Sequence, residues 1–318
     1  MTPPEVVGIG AINLDYLVHG PAPGGEWGTE RRADAATVEA VLPRAHAVAL
    51  GGSAFNTLHA IAAARTGLRL GFVGVAGRVP AAGLSALDTF DRYGIDRRFV
   101  FPDRERLCGV CVSFLSEGER TLLTHPGAND AFADHLTSEF DRVVAHLAEA
   151  RLVHVTSFLD DRSAGVLHRV LRAVKAISPG TLISFDPGHV WSTQPAPEVD
   201  SIVALCDFLL VNPREHREAP QAVVVEKRPG GIRWHGPGGS GSRSRPPLRP
   251  DEIVDATGAG DVFAAGLLIE VAKDPGRIAA GCELGLRLAR HKLRHVGSTG
   301  HADFPRLAGG GGPLTMSS

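Results

Sequence analysis

Leu152-Val153-His154-Val155-Thr156 begins the stretch on which the fold turns. Apolar residues at helical spacing follow over 164–176, then Leu182-Ile183-Ser184-Phe185, a helical turn at 202–205, and Phe208-Leu209-Leu210-Val211. Short continuous apolar runs separated by helical segments are what strands covered on both faces require. The alternation predicts an α/β chain with a doubly wound, mostly parallel sheet flanked by helices.

Upstream, Val6 to Ile12 reads as another buried strand, 54–66 as a helix stopping at Gly67, Leu70 to Val75 as a strand and 84–94 as a helix. Residues 14–50 are rich in Gly, Pro and charge, with short alternating pieces such as Thr37-Val38-Glu39-Ala40-Val41, and fall outside the core sheet. Gly109 to Leu115 and Thr121 to Leu123, on either side of Glu117-Gly118-Glu119-Arg120, predict a hairpin that pairs with those pieces. Downstream come a strand at 222–226, a Gly/Ser/Pro/Arg loop over 236–250 and helices at about 261–272 and 276–293. The glycine-rich tail, 308–318, is expected to be disordered.

A chain of 318 residues, 43% hydrophobic and 21% charged, buries a large core. A net charge of −2, with Lys and Arg scattered, argues against nucleic acid or membrane as partner and favours a small neutral or anionic molecule. Four unevenly placed cysteines make no disulfide framework, so a reducing cytoplasm is the expected location. The first residues lack the basic start and apolar run of a signal peptide, and no apolar run of about 18 residues occurs. Cys108-Gly109-Val110-Cys111 has metal-like spacing but no second pair, and is read as structural. Trp27 and Tyr16 form either an aromatic wall for a ligand or packing.

Thr257-Gly258-Ala259-Gly260-Asp261 precedes the apolar helix Val262-Phe263-Ala264-Ala265-Gly266-Leu267-Leu268. Small residues at a helix N-terminus let backbone N–H groups approach a phosphate, and the helix dipole favours its charge. A carboxylate there can take the proton of an attacking hydroxyl, the base role of phosphoryl transfer. The same residues also make a plain glycine turn with Asp261 as N-cap.

With Asp255-Ala256 in front, this string resembles the C-terminal signature of the ribokinase-like (PfkB) carbohydrate and nucleoside kinases, Ala256 standing where Thr is usual. Further landmarks occur in family order: Gly10-Ala11-Ile12-Asn13-Leu14-Asp15, Gly51-Gly52-Ser53-Ala54-Phe55-Asn56, Pro126-Gly127-Ala128-Asn129 and Asn212-Pro213-Arg214-Glu215. The resemblance implies one kinase domain over 1–307, with a small β lid formed by about 14–50 and 97–126. It implies ATP as phosphate donor, Mg²⁺ held through water at Glu215, and a monovalent cation such as K⁺ near Asp255 and the loop 296–300. Asp261 would be the base and Gly258, Ala259 and Gly260 the anion hole. Asn13, Asp15, Gly51, Gly52 and Asn56 would hold the acceptor, and Asn212, Lys227, Gly231 and Thr257 the nucleotide. Exposed lid edges would permit a homodimer.

Two departures stand out. Asp186-Pro187-Gly188-His189-Val190 has Gly188 and Val190 where relatives carry Asn and Arg. Between Glu215 and the strand from Ala222 only six residues remain, where relatives place helices and a strand. Arg228 either reaches a phosphate or faces solvent. The expected activity is therefore ATP-dependent phosphorylation of a sugar or nucleoside hydroxyl. The alternative is a sugar- or nucleotide-binding protein on a kinase scaffold with little turnover.

Overall fold

The computed structural model describes residues 2–23, 29–80, 83–116, 119–193, 196–215, 217–228 and 230–309. In chain order the first elements are β1 (Val6–Ile9), β2 (Asn13–His19), β3 (Glu30–Arg32), α1 (Ala35–Val41), β4 (Ala47–Gly51), α2 (Ser53–Ala63) and β5 (Leu70–Arg78). Then come α3 (Ala86–Tyr93), β6 (Asp96–Leu107), β7 (Gly109–Ser116), β8 (Glu119–His125), α4 (Phe132–Ser138), α5 (Phe140–Ala148) and β9 (Leu152–Thr156). The remainder is α6 (Ser163–Ile177), β10 (Leu182–Asp186), α7 (Gly188–Thr193), α8 (Pro197–Val203), β11 (Phe208–Val211), β12 (Val223–Arg228), β13 (Gly231–Gly236) and β14 (Gly239–Ser244). Helices α9 (Ala259–Val271), α10 (Ile278–Lys292) and α11 (Phe304–Ala308) close it.

Nine strands form one sheet in the order β14-β13-β12-β11-β10-β9-β1-β5-β6, parallel from β12 to β6. Alternate residues of β1 supply the two faces. Val6 packs with α2 and α9, whereas Val7 packs with α4 to α6. Burial on both faces explains the unbroken apolar runs, which give no alternation to read. From β1 the chain steps outward to β5 and β6, and later from β9 in the opposite direction. The β1/β9 junction is thus the topological switch point, where a crevice opens beyond the carboxyl ends of the strands.

A second, five-stranded sheet, β3-β8-β7-β2-β4, stands over that crevice. Its buried face, including Val18, Val112 and Phe114, packs on Val38 and Val41 of α1. Three expectations are corrected here. Residues 97–107 belong to β6 on the edge of the large sheet, because β6 continues the twist of β5 up to Leu107; only 109–125 join the second sheet. The alternating piece 37–41 is helix, started by Asp34, whose carboxylate accepts the Thr37 N–H at 2.7 Å. The loop foreseen over 236–250 contains β14, which forms an antiparallel hairpin with β13.

Ala308 ends α11, so the tail foreseen from that residue begins with ordered helix; 310–318 lie outside the described residues. So do Trp27 and the Glu117-Gly118 turn. The parallel connection 212–222 between β11 and β12 contains no helix among its described residues. That confirms how little chain separates Glu215 from the next strand.

Candidate active site

The carboxyl ends of the parallel strands bring one functional group after another to the same crevice. Asn13 follows β1, Ser157 follows β9, Asp186 ends β10, Asn212 follows β11 and Lys227 lies near the end of β12. With the start of α9 opposite, they line a cleft of about 380 Å³.

On the acceptor side Asn13 and Asp15 lie two residues apart on β2 and so project from one face of the strand. Both line the cleft. Asn13 Oδ1 accepts from Asn129 Nδ2 at 3.0 Å, and Asn129 also exchanges hydrogen bonds with the Ile12 backbone at 3.1 Å. Asn129 therefore fixes the turn that delivers Asn13, a positioning role not assigned from sequence. A Cβ on Gly51 would overlap the Asp15 carboxylate. Gly52 has φ +105°, and a Cβ there would run into the Ala11 carbonyl. The two glycines let the start of α2 press against the β1 exit.

Asp261 sits in the first turn of α9. Asn56 Nδ2 donates to its Oδ2 at 2.9 Å, and Thr57 Oγ1 donates to its carbonyl at 3.2 Å. Helix α2 thus holds the carboxylate in place, with Asn56 as a direct support for Asp261. Gly258, with φ +75°, turns the chain into α9, and no side chain caps the helix. Thr257 Oγ1 is buried without a hydrogen-bond partner in the same turn. An uncapped helix start beside an orphaned hydroxyl is a ready anion cradle, since such groups rarely stay unsatisfied.

Across the cleft, Lys227 Nζ pairs with Asp186 Oδ2 at 2.6 Å. It also lies 3.7 Å from where a Cβ on Gly260 would stand. Burial works against the ammonium, but the carboxylates of Asp186, Glu215 and Asp261 outweigh it and hold Lys227 above its ordinary value. Glu215, 8% exposed, accepts the Asn212 N–H at 3.0 Å, while Asn212 Oδ1 accepts the Arg214 N–H at 2.8 Å. Burial, and then the Asp186 charge, push the Glu215 carboxyl above its usual range despite Lys227.

This oxygen-rich donor set suits Mg²⁺ carried in with phosphates. Among the described residues no three His, Cys, Asp or Glu side chains cluster closely enough to hold a metal alone. Ionised Glu215 opposes folding, and its cost grows as pH rises from 4.5 through the raised value. Glu215→Gln should consequently raise Tm by a few degrees at neutral pH, with the gain fading in acid, while turnover drops roughly tenfold. Thermal melts of both proteins across pH check this; identical curves would refute it.

The structure brings most of the expected residues together. Gly231 does not join them. It opens β13, where a Cβ would meet the Arg243 carbonyl at 2.6 Å, so it serves the hairpin and not the cleft. Arg228 pairs with Glu226 at 2.8 Å on the exposed side. Cys108 and Cys111 are both buried, and burial pushes the Cys108 thiol up to about 11. Asp255 does not line the cleft; it borders an adjoining cavity of about 640 Å³ between β4, α2, α3 and the 296–305 segment. Asp186 is the addition that sequence reasoning left without a role; its position at the end of β10, next to a switch-point strand, was the available signal.

A carboxylate held at an uncapped helix start, facing a largely buried lysine in the crevice of a doubly wound sheet, suits a phosphotransferase of the ribokinase-like class. Residues 29–228 and 214–303 match the pfkB family carbohydrate kinase, and the chain belongs to that family. It is an ATP-dependent phosphotransferase of sugar or nucleoside hydroxyls. Among its relatives is an uncharacterized sugar kinase of Archaeoglobus fulgidus, 27% identical over 64% of this chain and 83% of that one. An ATP-dependent ribose-1-phosphate kinase of Halopiger xanaduensis is 28% identical over 69% of this chain and 72% of that protein. In fold the chain resembles Anopheles gambiae adenosine kinase, with a TM-score of 0.80 at 17% identity, covering 94% of this chain and 98% of that one. No helix among the described residues is long and apolar enough to cross a membrane.

Proposed function

We propose that the cleft transfers the γ-phosphoryl group of ATP to a hydroxyl of a ribosyl compound, with Asp261 as base. The observation that carries this reading is the Asn56–Asp261 hydrogen bond at 2.9 Å, which holds the carboxylate at the mouth of the anion cradle. Asn13 and Asp15, supported by Gly51 and Gly52, orient the acceptor beneath the second sheet, which acts as a lid. Asp261 accepts the proton as the acceptor oxygen bonds to phosphorus, and the bond from phosphorus to the bridging oxygen breaks to release ADP.

Gly258, Ala259, Gly260 and Thr257 receive the charge developing on the phosphoryl oxygens. Lys227 neutralises that charge from the opposite wall. Glu215 and Asn212, with Asp186, would hold the waters of a Mg²⁺ ion, which offsets the charge of the phosphates. The ribose-1-phosphate kinase relative supports a ribosyl acceptor.

The test is a panel of ribose, ribose 1-phosphate, fructose and adenosine with ATP and Mg²⁺, read as ADP release. Acceptor-dependent ADP from a ribosyl compound is the expected result. The short 212–222 connection favours a second reading, binding without turnover. That reading requires ligand-induced thermal stabilisation with no ADP from any acceptor.

A further inference from the structure

The Asp255 carboxylate heads the turn that carries the anion cradle, and this chain's own donors occupy both of its oxygens. Oδ1 accepts the Thr257 N–H at 2.8 Å; Oδ2 accepts the Gly297 N–H at 2.9 Å and the Lys292 ammonium at 2.7 Å. Lys292, the last residue of α10, also donates to the Asp255 carbonyl at 2.9 Å and the His295 carbonyl at 3.2 Å. The backbone N–H groups of Val254 and Asp255 turn to the Leu293 carbonyl at 2.8 and 3.3 Å. Both side chains of the ion pair are almost fully buried, 3% exposed for Lys292 and 2% for Asp255.

A carboxylate and inward-turned carbonyls gathered around one positive charge form the coordination shell of a monovalent cation, with an ammonium at its centre. The K⁺ that the family resemblance implies beside Asp255 does not fit these residues. Admitting it would drive the Lys292 ammonium into buried surroundings without its carboxylate partner, an uncompensated desolvation.

Resting on the kinase reading, we infer that the Lys292 ammonium permanently takes the place of a monovalent cation. It ties the 292–297 segment to the Asp255–Gly258 turn, so the anion cradle keeps its shape in any salt. Melting and Rb⁺ binding report the occupant of that place without any turnover.

Melting of the wild-type protein at constant ionic strength in KCl, NaCl and choline chloride should give one Tm, and crystals soaked in RbCl should show no anomalous Rb⁺ peak beside Asp255. A Tm raised selectively by K⁺, or an Rb⁺ peak there, would overturn the inference. In Lys292→Met the buried carboxylate loses its cation, so Tm should fall and be recovered by K⁺ or Rb⁺ but not by choline. Equal melting of that variant in all three salts would also overturn it. If the variant does not fold, the wild-type Rb⁺ soak decides. Where turnover is measured, the wild-type rate should vary less than about twofold between K⁺ and choline, while Lys292→Met should gain about tenfold from K⁺.

Discussion

Asp261→Asn is expected to lower kcat by about 10²- to 10⁴-fold, the range a positioned general base supplies. The substitution keeps the shape of the side chain, and its amide oxygen can still accept the Asn56 Nδ2 hydrogen that Asp261 Oδ2 takes at 2.9 Å. Thr57 Oγ1 bonds to the backbone carbonyl of residue 261, so the anchoring of α9 on α2 is untouched. What disappears is the basic lone pair facing the acceptor hydroxyl. Acceptor affinity, which rests on Asn13 and Asp15, should change little. Steady-state kinetics together with acceptor titration separate the two effects. Turnover above about a tenth of wild type in this variant would remove Asp261 from the base role.

Lys227→Met should reduce kcat/KM for ATP by about 10²- to 10³-fold, because it deletes the charge facing the anion cradle from the opposite wall. It will also destabilise the fold. Asp186 and Glu215 share that ammonium; removing one partner of a fully buried pair costs roughly 3–5 kcal/mol, and less here because the Lys227 side chain is 18% exposed. The two consequences must be separated. In Lys227→Met combined with Asp186→Asn, no carboxylate is left unpaired at the 2.6 Å contact, so much of the lost Tm should return. Activity toward ATP should not. If the double variant regains both, Lys227 is only a counter-ion for Asp186.

Lys227 places a positive charge beside Asp186, in a stretch where Gly188 and Val190 stand in place of the Asn and Arg that the family resemblance implies. In this chain the positive charge comes from β12, two strands along from β10, and meets Asp186 across 41 residues of sequence. No local pattern signals that pairing, because it depends on β10, β11 and β12 being hydrogen-bonded neighbours in register.

Other differences have similar causes. Edge strand β14, Gly239-Ser240-Gly241-Ser242-Arg243-Ser244, has almost no apolar residue to reveal it; its conformation comes from pairing with β13, and Arg243 lies over the Trp234 ring at 5.5 Å. The piece 37–41 alternates as a strand would, yet the cap at Asp34 and burial of Val38 and Val41 against the second sheet make it a helix. Residues 97–107 were expected in the lid on family grounds, but they extend β6, where Phe99 and Val100 are buried against the large sheet. The family resemblance assigns Gly231 to the nucleotide, whereas the close approach of the Arg243 carbonyl is what requires a glycine there.

What the sequence alone determined was whatever short-range chemistry writes into adjacent residues. The apolar runs of β1, β9, β10 and β11 define a buried parallel sheet, and the small residues before Asp261 mark a glycine turn at a helix start, where an anion can be held. Tertiary structure decided which side chains meet in and around that turn. Asp186 with Lys227, Asn56 with Asp261 and Lys292 with Asp255 lie 41, 205 and 37 residues apart. Their energies arise from burial and from hydrogen bonds a few ångströms long, and those exist only after the sheet has brought the strand ends together.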